Sequence, residues 1–110
     1  MNNDETSLNQ RPIPEAALRD ENAVEMLRVW VAERGLHCSM KVGIYRDAMT
    51  IGEEKAWGTI LADVAKHIAN ALHVKYSADL AESLDKIRDG FIAELEKPTS
   101  AANGDFVRKH

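Results

Sequence analysis

Apolar and polar residues alternate with a period of two through "VEMLRVWVAERGLHCSMKVGIY", residues 24–45, and the two long stretches after it switch to a helical period. Period two places successive side chains on opposite faces of a strand, and the Gly-containing centre of the stretch splits it into a hairpin. A two-residue loop at Arg34–Gly35, or a four-residue loop over Glu33–Leu36, predicts that Leu27 pairs with Val42, Val29 with Met40 and Val31 with Cys38. One face is then uniformly apolar, joined by Leu36 and Ile44. A three-residue loop would mix both faces. The opposite face carries Arg28, Trp30, Ala32, His37, Ser39 and Lys41, a polar surface with one large aromatic in its middle.

The next stretch, "TIGEEKAWGTILADVAKHIANALHVK", predicts a long helix. At 100° per residue, Trp57, Ile60, Leu61, Val64, Ile68, Ala71 and Leu72 fall in one stripe. Thr50 with Glu53 three residues later has the form of a capping box. A second helix is predicted over "SADLAESLDKIRDGFIAELEKP", with Ser77 as its cap, a narrow stripe of Leu80, Leu84, Ile87, Phe91 and Leu95, and Pro98 as its stop. The short connection makes the two helices antiparallel neighbours. Ahead of the hairpin, Pro12 and Pro14 hold Ile13 extended, and Pro14 can open one helical turn through Glu15–Ala17.

These elements define an α+β fold, an antiparallel hairpin packed against an antiparallel pair of helices, as one domain over residues 12–98. Residues 1–11 and 99–110 read as mobile tails. With 110 residues there is room for one core and little more. An isolated two-stranded hairpin is marginal in water, and the helices can cover only one of its faces. Trp30 on the other face then needs a cover. A homodimer with Trp30 at or near the contact supplies one; the chain's own amino-terminal segment around Ile13 and Leu18 supplies another.

Charge narrows the partners. The net charge of −4 argues against nucleic acid, because phosphate binding needs clustered cations. Residues 24–46 hold Arg28, Arg34, Lys41 and Arg46 against Glu25 and Glu33, whereas residues 77–96 are strongly acidic. The contrast reads either as two solvated faces or as two complementary interaction surfaces. No apolar run is long enough to cross a bilayer, and the polar start "MNNDETSLNQ" is not a signal peptide. With a single cysteine, these features point to a reducing cytoplasm.

Candidate chemistry is sparse. His37 and Cys38 adjoin on a strand, so they face opposite ways and cannot ligate one ion. His67 and His73 are six apart on a helix and do not converge. Cys38 shares the apolar face with Val31 and Met40 and reads as a small hydrophobe. Glycines at 35, 43, 52, 58, 90 and 104 never cluster into a phosphate-binding turn. No cofactor, metal site or catalytic set is indicated.

The strings "PIPEAAL", "VEMLRVWVAERGLHCSM", "AWGTILADVAKHIANAL" and "IRDGFIAELEKPT" resemble a family of short bacterial proteins classed as a domain of unknown function, with the resemblance running from Pro12 to Thr99. It implies a stand-alone cytoplasmic bacterial protein and transfers no site residue. The functional expectation is a homodimeric binding or interaction module without catalysis, whose contact surface uses Arg28, Trp30, His37 and Lys41. An unknown protein partner stays open beside self-association. The alternative is a small-molecule binder or minor enzyme with a pocket between Trp57, His67 and the hairpin.

Overall fold

The computed structural model describes residues 8–46 and 52–99. Its element order is α1 (Glu15–Arg19), β1 (Leu27–Ala32), β2 (Gly35–Met40), α2 (Glu53–Tyr76) and α3 (Leu80–Glu96). The α+β class is as expected, with one antiparallel hairpin and an antiparallel pair of packed helices. Most of the expected tails, together with Thr50, lies outside the described residues. No helix among the described residues is long and apolar enough to cross a membrane.

Pro14 stands just before α1 with extended ψ of 143°, and its carbonyl accepts from Ala17 and Leu18. Asp20 then turns the chain, its side chain accepting from the Asn22 N–H at 2.9 Å.

In the hairpin, Leu27 pairs with Met40, Val29 with Cys38, Trp30 with His37 and Ala32 with Gly35. This corrects the expected register by two residues. The loop is Glu33–Arg34, both at positive φ (51° and 66°), as a type I′ turn demands. A slip of two leaves every side chain on its face, so the apolar alternation is equally satisfied by both registers. The loop geometry decides between them, and Gly35 falls just after the loop instead of within it. Lys41 extends the ladder by donating to the Met26 carbonyl at 3.0 Å.

The helix ends also differ from expectation. α2 begins at Glu53 with Gly52 (φ 88°) as its N-cap, so Glu53 is the first helical residue and not the third position of a capping box. Ser77 closes α2 instead of opening α3: it takes the left-handed conformation and donates to the His73 carbonyl at 2.9 Å, while Ala78 reaches back to Leu72. Asp79 is the true cap of α3, its carboxylate accepting from the Glu82 N–H at 2.9 Å. Glu94 holds Thr99 beyond Pro98 at the far end.

Buried Ala69, half-buried Ala65 and Leu72 on α2, and half-buried Ser83 and Ile87 on α3 mark the seam between the helices. Small residues at 65, 69 and 83 allow close approach. Among the described residues no strand Cα comes within 8 Å of a Cα of α2 or α3. The hairpin and the helix pair are therefore joined at one edge and not stacked face to face.

Candidate interaction surface

Arg28, Trp30, His37 and Lys41 do gather on one face of the hairpin, because even positions of β1 and odd positions of β2 share a side. Trp30 and His37 are direct cross-strand partners. His37 donates from Nε2 to the Ala32 carbonyl at 3.1 Å, which ties its ring to the turn end of β1. The Arg28 guanidinium is bonded to Glu25 through both Nε (3.3 Å) and Nη2 (3.1 Å), so part of its charge is already answered. Lys41 is exposed at the rim.

Trp30 is half-buried in the wall of an open crevice of about 780 Å³. Leu8, Ile13, Leu18, Val24, Leu27 and Val29 line it as well, so the amino-terminal segment stands beside β1. The segment frames the crevice without sealing it, since Leu18 remains 70% exposed. Such a surface, an aromatic flanked by an imidazole and cations, can take an apolar group carried by an acidic partner.

The hairpin's other face is apolar and largely open. Val29, Val31 and Leu36 are all exposed, Val31 to 79%, while Cys38 and Met40 are half-buried. Cys38 is a free thiol on this face, opposite Val29.

The joint between the two halves of the chain is built on Glu53, which sequence reasoning had assigned to a helix cap. Its carboxylate accepts from the Gly43 N–H at 2.8 Å, the Tyr45 N–H at 3.0 Å and Trp57 Nε1 at 2.9 Å. Gly43 supplies the positive φ (103°) that this turn requires. The Gly43 bond is the strongest influence holding the Glu53 pKa below its ordinary value; partial desolvation opposes it, and Trp57, Tyr45 and the Arg46 charge reinforce it. The spacing of Glu53 and Trp57, one turn apart on α2, was the signal available beforehand.

Trp57 thus serves the joint, whereas His67 is exposed and paired with Asp63 at 3.2 Å. The two stand ten positions apart on α2, about 15 Å along the helix, and neither lines the crevice. Among the described residues, no three His, Cys, Asp or Glu side chains are grouped to hold a metal ion.

Comparison with known proteins gives two findings. The model of a family described as a domain of unknown function, DUF5076, matches residues 10–99. A solved structure from the photosynthetic bacterium Rhodopseudomonas palustrus, provisionally described as a pyruvate dehydrogenase, shares 29% identity with a TM-score of 0.63 and covers 94% of this chain and 99% of its own. No curated protein matches the chain.

Proposed function

The chain belongs to the DUF5076 family, and we propose that it works as a homodimeric interaction module of the bacterial cytoplasm, without catalysis of its own. The observation that carries this reading is how little one chain buries. Among the described residues the apolar side chains below a tenth exposure are Ala56 (4%) and Ala69 (3%), while Phe91 (51%), Leu95 (69%) and the hairpin valines stay open. Contiguous apolar surface on that scale marks an association site. A two-fold copy is the simplest cover, since it brings the same patches to the same patches. The face with Arg28, Trp30, His37 and Lys41 is the surface offered to a further protein partner.

The neighbour's dehydrogenase description is not carried over. In the sequence this chain's glycines do not cluster, and Glu25, the carboxylate that lines the crevice, is bonded to Arg28. A bacterial origin accords with the organism of that neighbour, and a cytoplasmic location accords with the single free cysteine.

Multi-angle light scattering tests the reading: twice the chain mass is expected at tens of micromolar, and a monomer there sinks it. The crevice beside Trp30 favours small-molecule binding as a second reading. A thermal-shift screen against a metabolite panel supports it if a ligand raises the melting temperature of the wild type but not of Trp30→Ala.

A further inference from the structure

A two-stranded hairpin is marginal by itself and is steadied by a third strand or by a helix packed on it. The helices do not give that support here, since among the described residues the strand backbones stay apart from α2 and α3. The ladder shows which backbone groups a third strand would use. Lys41 donates to the Met26 carbonyl, which makes that pair a hydrogen-bonded one, and bonded and non-bonded pairs alternate along an antiparallel ladder. Arg28–Ser39, Trp30–His37 and Ala32–Gly35 are then the bonded pairs across the hairpin. Leu27, Val29 and Val31 turn their N–H and C=O groups outward along the β1 edge, and Leu36, Cys38 and Met40 do so along the β2 edge.

The two edges differ in what stands beside them. Residues 8–14 border β1 across the crevice, and Pro12 and Pro14 among them have no N–H with which to extend a ladder. No residue of β2 lines that crevice. The β2 sequence, GLHCSM, contains no proline and no charged side chain, and its pairing with β1 runs without a bulge. Those are the devices that keep an edge strand from pairing, and β2 has none of them. Among the described residues no other backbone group bonds to the outward groups of Leu36, Cys38 and Met40.

We propose that the β2 strands of two copies pair antiparallel about a two-fold axis at Cys38, joining two hairpins into one four-stranded sheet. The proposal rests on the homodimer reading and specifies its contact at the hairpin. In this register Cys38 faces Cys38 of the second copy, Leu36 faces Met40 and His37 faces Ser39. Every outward-turned residue of β2 then lies in a bonded pair that exchanges both hydrogen bonds. A shift of two in either direction sets Leu36 or Met40 opposite a residue outside β2. The partner is a second copy because β2 complements itself. Apolar side chains meet on one face, His37 meets Ser39 on the other, and Lys41 falls opposite Gly35, so no like charges are set against each other. One symmetric contact gives both hairpins their third strand. It leaves the face with Trp30 open to a further partner.

Residue-resolved amide exchange on the wild-type chain reads this contact without any substitution. In the dimer the N–H groups of Leu36, Cys38 and Met40 are expected to be protected while Val31, at the β1 edge, exchanges freely. Dilution to monomer is expected to abolish the protection. Exchange at Leu36, Cys38 and Met40 as fast as at Val31 in a dimeric sample overturns the edge pairing.

A cross-link tests the register. His37 and Ser39 form a non-bonded pair across the contact, with Cα atoms about 4.5 Å apart, within the reach of a disulfide. Chains carrying Cys38→Ser and His37→Cys are refolded together with chains carrying Cys38→Ser and Ser39→Cys, then oxidised gently. A disulfide between the two introduced thiols is expected, and mass spectrometry of the peptides identifies it. Its absence from a dimeric sample overturns the proposal, as do links formed only between identical chains. Wild-type protein that is itself monomeric at tens of micromolar overturns the homodimer reading, a result distinct from a dimer whose β2 edge stays unprotected.

Discussion

Glu53 answers three N–H donors with one carboxylate, and its neighbours hold its pKa below the ordinary value of 4.5. Folding thus favours the ionised form. Its contribution to stability is fully present above pH 4.5 and disappears as the pH falls below that through the folded-state value. Glu53→Gln is expected to weaken the fold at neutral pH and to flatten this acid dependence. Urea melts followed by Trp57 fluorescence in a Trp30→Phe background measure both effects, and an acid profile identical to the parent's contradicts them. Glu33 and Arg34 present a different residue-scale cost. Both adopt positive φ without being glycine, a conformation costing about 1–2 kcal/mol for an ordinary side chain. Glu33→Asn with Arg34→Gly supplies the residues a type I′ turn prefers, and about 0.5–1 kcal/mol of added stability is expected in denaturant titration, the gain being cut by the freer unfolded chain.

At the scale of elements, the helices are joined by a three-residue connection in which each residue has a separate duty. Ser77 takes the left-handed turn, the carbonyl of Ala78 receives the His73 ring Nδ1–H at 2.9 Å, and Asp79 caps α3. Asp79→Ala removes that cap and is expected to cost about 1 kcal/mol. Ala69 is buried along the α2–α3 seam, where a larger side chain has no room. Ala69→Leu is expected to cost about 1–3 kcal/mol by forcing the helices apart, and thermal unfolding monitored at the helical band measures it. The hairpin shows why one element was read correctly and yet paired wrongly. Alternation fixes which residues share a face, and Val29, Val31, Leu36 and Cys38 do share one. It is blind to a slip of two, which only the loop dihedrals resolve.

The whole molecule departs from the sequence expectation in how its halves meet. A stripe of apolar residues states that a face must be covered, and the natural assumption puts the nearest available surface over it. Here Leu84 and Phe91 remain exposed on one chain. Leu84→Ala and Phe91→Ala should therefore act through association: the melting temperature of the wild type is expected to rise with protein concentration, and both variants to lose that dependence. A concentration-independent melting temperature in the wild type contradicts this. The surface candidates fared unevenly in legibility. Arg28, Trp30, His37 and Lys41 share a hairpin face because parity alone places them there. Trp57 and His67 stand about 15 Å apart along α2, a separation that their common helix sets.

By itself the sequence determined the kinds and the order of the elements, the two hairpin faces and the end of α3 before Pro98, since each follows from local periodicity and from proline's missing N–H. Only the tertiary structure decided the hairpin register, the conversion of Ser77 from a cap to a terminator, and the role of Glu53 as the tie between halves. These depend on backbone dihedrals and on residues such as Gly43 and Glu53, ten positions apart, meeting at 2.8 Å. It also decided which apolar faces one chain leaves open, because a stripe specifies that it must be buried and says nothing of what will bury it.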